Sequence, residues 1–146
     1  MIAVTYPNIT PKIKKQNNAD WIFCIIRKKW LVLTPEEWVR QNFILYVTHT
    51  LQYPLLLVAV EKKIKIGEVE KRFDILIYNK ELKADILIEC KEMTTKIDKH
   101  TIAQAMNYFT VIQSNYIIIT NGNQTYCFKK SDNQLLEVEY IPTFKK

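Results

Sequence analysis

The alternation of apolar and polar positions divides the chain into short segments. Residues 1–20 are mostly polar, with Pro7, Pro11 and a Lys12–Lys15 stretch, and read as an arm or an irregular strand. Trp21–Ile26 and Trp30–Leu33 are β-rich and flank Arg27-Lys28-Lys29, which predicts a hairpin. Thr34-Pro35-Glu36-Glu37 then carries three helix-start signals: a capping hydroxyl, a proline suited to the first helical position, and an acid three residues after the cap. The helix is expected to run to about His49–Leu51. At 100° per residue, Val39, Phe43, Tyr46 and Val47 share one face, and Glu36 falls on it while Glu37 points elsewhere.

Leu55–Val60, continuing through Ile64-Lys65-Ile66, is followed by Arg72–Tyr78 and Ala84–Lys91, with Asn79–Lys83 between the last two. This predicts an antiparallel meander of three strands. Residues 99–113 carry an apolar helical face of Ile102, Ala105, Met106, Phe109 and Ile112. Tyr116–Thr120 and Thr125–Lys129 read as two strands about a turn at Gly122. The fold class expected is α/β with a mixed α+β sheet. A hairpin region (1–33) would pack on a domain (34–146) to give a single globular unit.

The scarce residues exclude much. Two glycines rule out a three-glycine dinucleotide fingerprint, and neither Gly67 nor Gly122 is followed by lysine, so no Walker A loop exists. Two histidines and two serines, none in the required spacing, exclude a His-Glu-x-x-His zinc helix and a Gly-x-Ser-x-Gly elbow. Cys24, Cys90 and Cys127 are odd in number and widely spaced, so reduced buried thiols are expected. The longest apolar runs have six residues, against about 18 for a membrane span, and no signal peptide is apparent; the chain reads as cytoplasmic. The net charge of +6 permits a polyanionic partner without requiring one.

The chemistry concentrates in the meander. If Asp74 lies opposite Glu89, the paired numbers sum to 163 and Tyr78 faces Asp85. Phe73, Ile75 and Ile77 then share a face with Ile86, Ile88 and Cys90, and Asp74, Glu89 and Lys91 share the other. Two carboxylates in otherwise apolar strands repel unless a cation neutralises them. Mg²⁺ accepts one or two carboxylates together with water and phosphate oxygens, and Lys91 could orient the water or offset developing charge. The plainer alternative is an edge aspartate and a solvent-facing Glu-x-Lys ion pair.

Asp74 and Glu89-Cys90-Lys91 resemble the PD-(D/E)XK nuclease motif. More closely, the chain resembles the N-terminal nuclease domain of type I restriction enzyme R subunits. Arg27–Trp30, Thr34–Gln41, Tyr53-Pro54, Arg72–Asp74, Ile88–Lys91, Gln104–Tyr108 and Thr120–Gly122 carry the likeness in series, over roughly residues 20–130. The resemblance implies a restriction-endonuclease-like αβββαβ core, here with an N-terminal β-hairpin and a C-terminal hairpin strand. It implies Asp74 and Glu89 as ligands of Mg²⁺ or Mn²⁺, and Lys91 as the catalytic lysine. It selects Glu36, four residues before Arg40, as a third acid and metal ligand, and Gln104 of a Gln-x-x-x-Tyr motif as a catalytic residue. The implied function is a metal-dependent DNA endonuclease acting with motor, specificity or methylase subunits, or as a homodimer. The alternative is a non-catalytic DNA-binding or assembly module on the same fold.

This sequence departs from the family pattern at Phe73, in place of proline, and at Glu92-Met93, where relatives often carry Ala-Pro. A chain ending at Lys146 is expected to lack a motor of its own. His100 reads as a surface histidine, and the lysines at 62, 63, 65, 71, 80 and 83 as phosphate contacts or edge protection. Trp21, Trp30 and Trp38 are expected to cluster between the hairpin and the first helix as core.

Overall fold

The structure is a computed structural model that describes residues 1–109 and 112–146, with the side chains of Ile66, Tyr108 and Phe109 outside the description. Three strands open it: β1 (Ile13–Gln16), β2 (Ala19–Cys24) and β3 (Lys29–Val32), an antiparallel sheet in that order. The expected hairpin is therefore β2–β3, and part of the polar arm adds the third strand.

Helix α1 (Pro35–Leu45) starts where the sequence predicts, with Thr34 Oγ1 accepting the Glu37 N–H at 3.0 Å and Pro35 in the first turn. It does not continue as α-helix to Leu51. Residues Tyr46–Thr50 form a wider π-helical turn, in which the Leu51 N–H donates to the Tyr46 carbonyl five residues back. The Thr48 hydroxyl donates to the Ile44 and Leu45 carbonyls there, drawing off acceptors at the end of the regular ladder.

The larger sheet runs in chain order: β4 (Val58–Ile66), β5 (Val69–Tyr78), β6 (Ala84–Cys90), β7 (Tyr116–Thr120), β8 (Thr125–Ser131) and β9 (Gln134–Val138). Only β6 and β7 pair in parallel, and α2 (Lys99–Phe109) is the crossover helix between them. Strand β9 was not among the expected elements. Leu55–Leu57 form a single 3₁₀ turn rather than the start of β4. The expected helix over 99–113 is present to Phe109; residues 110 and 111 lie outside the described set, and Ile112 is buried beyond the helix.

Each face of the sheet has its own core. On the α1 side, Val39, Phe43 and Val47 pack on Ile75, Ile77, Ile86, Ile88, Cys90 and Ile118. The chain ends close over this side: the Phe144 N–H donates to the Leu51 carbonyl and the Tyr53 hydroxyl to the Pro142 carbonyl. On the α2 side, Phe73, Leu76, Leu87, Ile117, Ile119 and Phe128 pack with Ile97, Ile102 and Met106. All three cysteines are buried free thiols. Among the described residues, no helix is long and apolar enough to cross a membrane.

The register of the meander holds where it matters. Ile75 pairs with Ile88 and Ile77 with Ile86, both summing to 163, which sets Asp74 level with Glu89. At the far end a one-residue shift pairs Tyr78 with Ala84, not with Asp85. Phe73 also departs from expectation, because it joins the α2-side core while Ile75 joins the α1 side. Residues two apart in a regular strand share a face, so the alternation slips at Asp74. Opposite it, the β4–β5 pairing passes from Val60↔Ile75 to Lys62↔Phe73, and Glu61 between them has φ +49°.

Candidate active site

The site is assembled from α1, the irregular stretch of β4–β5, and the end of β6. At its centre is Arg40, whose side chain is only 6% exposed. One guanidinium nitrogen donates to Glu37 and to Glu61 Oε1 (3.1 Å); the other donates to Glu36 Oε1 (3.1 Å) and Asp74 Oδ1 (2.7 Å). Glu61 is also bound by Arg27 at 2.6 Å, and Gln41 donates to the second oxygen of Glu37 at 2.8 Å. Burial disfavours the Arg40 charge, but Asp74 and Glu37 outweigh it and push the guanidinium pKa above its ordinary value. Four carboxylates surround two guanidiniums, leaving two negative charges in excess.

The slip at Asp74 aims its carboxylate between the two sides of the sheet. Oδ1 takes Arg40 on the α1 side, while Oδ2 accepts the Cys90 N–H at 2.8 Å. Glu89 lies on the α2 side. It lines a cleft of about 160 Å³ with Lys71, Lys91, Thr101, Gln104 and Ile119. Its Oε1 is fully buried without a hydrogen-bond partner among the described residues. Burial, then the charge of Asp74, push its pKa up to about 7, against the opposing pull of Lys71 and Lys91. A hydrogen bond to Asp74 adds to the preference of Glu89 for its protonated form.

The cleft thus brings Glu89, Lys91 and Gln104 together, with Gln104 exposed at the rim, and Asp74 lies level with Glu89 on the neighbouring strand. Asp74 does not share the cleft face with the other two, as simple alternation implied. The α1 acids exchange their expected places: Glu37 is the buried one, while the Glu36 side chain is 45% exposed. Glu36 still feels the site, because burial and then the charge of Asp74 raise its pKa while Arg40 and Lys91 lower it. Among the described residues, no three His, Cys, Asp or Glu side chains converge on one cation position. A divalent ion held by one or two carboxylates and waters is compatible with this set, and the unpartnered Glu89 oxygen beside Asp74 is the donor such an ion would take.

Residues past β6 are held by the β7–β8 turn. Asn121 donates to the Thr95 carbonyl at 2.8 Å and accepts the N–H groups of Asn123 and Gln124, while the Lys91 N–H donates to the Thr120 carbonyl. Gly122 sits at φ +90°, where a Cβ would meet only ordinary contacts with Val39 and Met93. Gly122→Ala is therefore expected to cost roughly 1–2 kcal/mol through backbone strain alone. Urea denaturation would measure it, and an unchanged midpoint would refute it.

A family model described as type I restriction enzyme R protein N terminus (HSDR_N) matches residues 35–143, which is 109 of the 146 positions. The chain belongs to this family. The matched region contains α1, the whole six-stranded sheet and every residue of the acid–lysine site, and leaves out the three-stranded sheet. No curated protein matches the chain.

One participant escaped the sequence reading of this R-protein N-terminal domain: Glu61, which enters the Arg40 network through its unusual backbone. Lys71, read as a phosphate contact or edge protection, lines the cleft beside Glu89. The isolated acid within the alternating stretch 58–66 was the available signal for Glu61. His100 is exposed, as expected, and the Tyr108 side chain lies outside the described residues.

Proposed function

We propose that this R-protein N-terminal domain is a divalent-metal-dependent DNA endonuclease domain. The observation that carries the reading is the buried, unpartnered Glu89 oxygen beside Asp74, in a cleft that also holds Lys71 and Lys91. Asp74 and Glu89 would hold Mg²⁺ or Mn²⁺, with Glu36 supplying a further carboxylate from α1. When bound, the ion would polarise a phosphodiester oxygen and activate a water. Lys91 would orient that water or offset charge on the pentacoordinate phosphorus, and Gln104 would position the phosphate at the rim. The target sequence would be chosen by partner subunits, with a motor or methylase among them.

The clamp of Arg40 on Asp74 and the absence of a three-ligand cluster among the described residues favour a second reading, a DNA-binding module without catalysis. Titrating Mg²⁺ and Mn²⁺ into the wild type and Asp74→Ala, while following thermal shift and supercoiled-plasmid nicking, separates the two. Metal stabilisation and nicking that both vanish in the variant support the endonuclease. A wild type that neither gains stability nor nicks overturns it in favour of the second reading.

A further inference from the structure

The three-stranded sheet lies outside the family match, and its composition is lopsided. Residues 1–35 contain Lys12, Lys14, Lys15, Arg27, Lys28 and Lys29 against the single acid Asp20, a balance of 6 − 1 = +5. The remaining 111 residues carry 15 basic and 14 acidic side chains, a balance of +1. Nearly all of the net charge therefore sits on this small sheet and its flanks.

Its register sorts the side chains. Ile22 and Cys24 are fully buried on the side that packs against α1. The opposite parity places Phe23 across from Trp30, and Trp21 between Lys14 and Val32. The Phe23 N–H donates to the Lys12 carbonyl, so Lys12 completes the first of these rows. The outward face thus repeats one pattern: a lysine, an aromatic, then an aromatic or aliphatic side chain. None of these aromatics belongs to either core, contrary to the expected tryptophan cluster, and all are only part-buried. The Lys14 ammonium lies 4.5 Å from the Trp30 ring centre, and Phe23 meets Trp30 edge-on at 5.3 Å. The Trp21 indole N–H is already satisfied by the Gln16 carbonyl, which leaves its ring as an apolar surface.

We propose that this face is a stacking platform for single-stranded nucleic acid. Rings held on a sheet offer flat π-surfaces to unpaired bases, and the neighbouring lysines suit the phosphates between them. A duplex keeps its base faces covered and would use the lysines alone. The small sheet is tied to the acid site: Arg27, in the turn between β2 and β3, binds Glu61, which binds Arg40, which binds Asp74. The proposal rests on the charge and aromatics of the sheet and does not depend on cleavage.

The test is titration of a twelve-nucleotide oligothymidylate in EDTA, followed by intrinsic tryptophan fluorescence and anisotropy. A duplex of equal length and inorganic polyphosphate are the comparison ligands. Quenching by the single strand is expected, with binding about tenfold weaker in Trp30→Leu and in Trp21→Leu. Two lysine–phosphate contacts, from Lys12 and Lys14, would give a logarithmic salt slope of about −1.4. Because the titration is run in EDTA, where no metal can support cleavage, its outcome is separate from any failure of the nuclease reading. Circular dichroism checks the folding of the variants, and Lys12→Ser/Lys14→Ser should flatten the salt slope. Equal binding of duplex or polyphosphate without quenching, binding unchanged in folded tryptophan variants, or no binding of the oligonucleotide would each overturn the proposal.

Discussion

Glutamine in place of Glu89 is expected to make the metal-free protein more stable at pH 8 and to end its response to Mg²⁺. The wild-type carboxyl is raised from 4.5 to about 7 by burial and by Asp74. Between those values the folded state binds the proton more tightly than the unfolded chain, so stability falls as pH rises through the interval. At about 1.4 kcal/mol per pH unit, the full loss is roughly 3 kcal/mol once pH exceeds 7. Glu89→Gln keeps the shape and a hydrogen-bond donor toward Asp74 but carries no charge to bury. Metal-free melting curves should therefore show the variant about 1–3 kcal/mol more stable at pH 8 and nearly equal to wild type at pH 4. Added Mg²⁺ should reverse the order, because only the wild type offers an anionic oxygen to the ion, and nicking should fall by at least roughly a hundredfold. A variant less stable than wild type at pH 8 in EDTA would show that Glu89 is a packing residue rather than a charge held for a ligand. Sites that store such a cost for function commonly gain stability when the functional group is removed.

What could be read in advance was whatever the periodicity of a single element determines. The start of α1 was legible because Thr34, Pro35 and Glu37 act within one turn, and the pairing of Asp74 with Glu89 because the apolar residues of two strands agree in only one register. Contacts between elements were not legible. Glu37 looked solvent-facing from α1 alone, yet Arg40 and Gln41 on the same helix turn inward with it to meet β4 and β5. The displacement of Phe73 from the face of Ile75 coincides with the positive φ of Glu61 on the neighbouring strand, and no residue preference announces that conformation at a glutamate. The outward aromatics of the first sheet were misjudged for a related reason. Tryptophan in an apolar run reads as core, and only the pairing of three strands places Ile22 and Cys24 inside and Trp21, Phe23 and Trp30 outside.

The network around Arg40 gives the larger effect on stability. Arg40→Ala is expected to cost about 3–5 kcal/mol near pH 8, because it removes one buried cation from four carboxylates and leaves Glu37 and Asp74 without their strongest partner. The loss should shrink toward acid pH, because Glu36, which burial and the charge of Asp74 already hold above the ordinary carboxylate range, takes up a proton there. Arg40→Lys should recover only part of the stability, since one ammonium cannot span donors to Glu36, Glu37, Glu61 and Asp74 as the planar guanidinium does. Arg27 serves as the comparison: its pair with Glu61 is more open to solvent, and Arg27→Ala should cost under about 1 kcal/mol. Urea denaturation of the three variants at pH 8 and pH 4.5 decides the matter. Equal, small losses for Arg40→Ala and Arg27→Ala at both pH values would mean that the carboxylates are solvated independently of Arg40. The predicted pattern would instead identify Arg40 as the charge that lets this fold hold Asp74 and its neighbours together before any metal arrives.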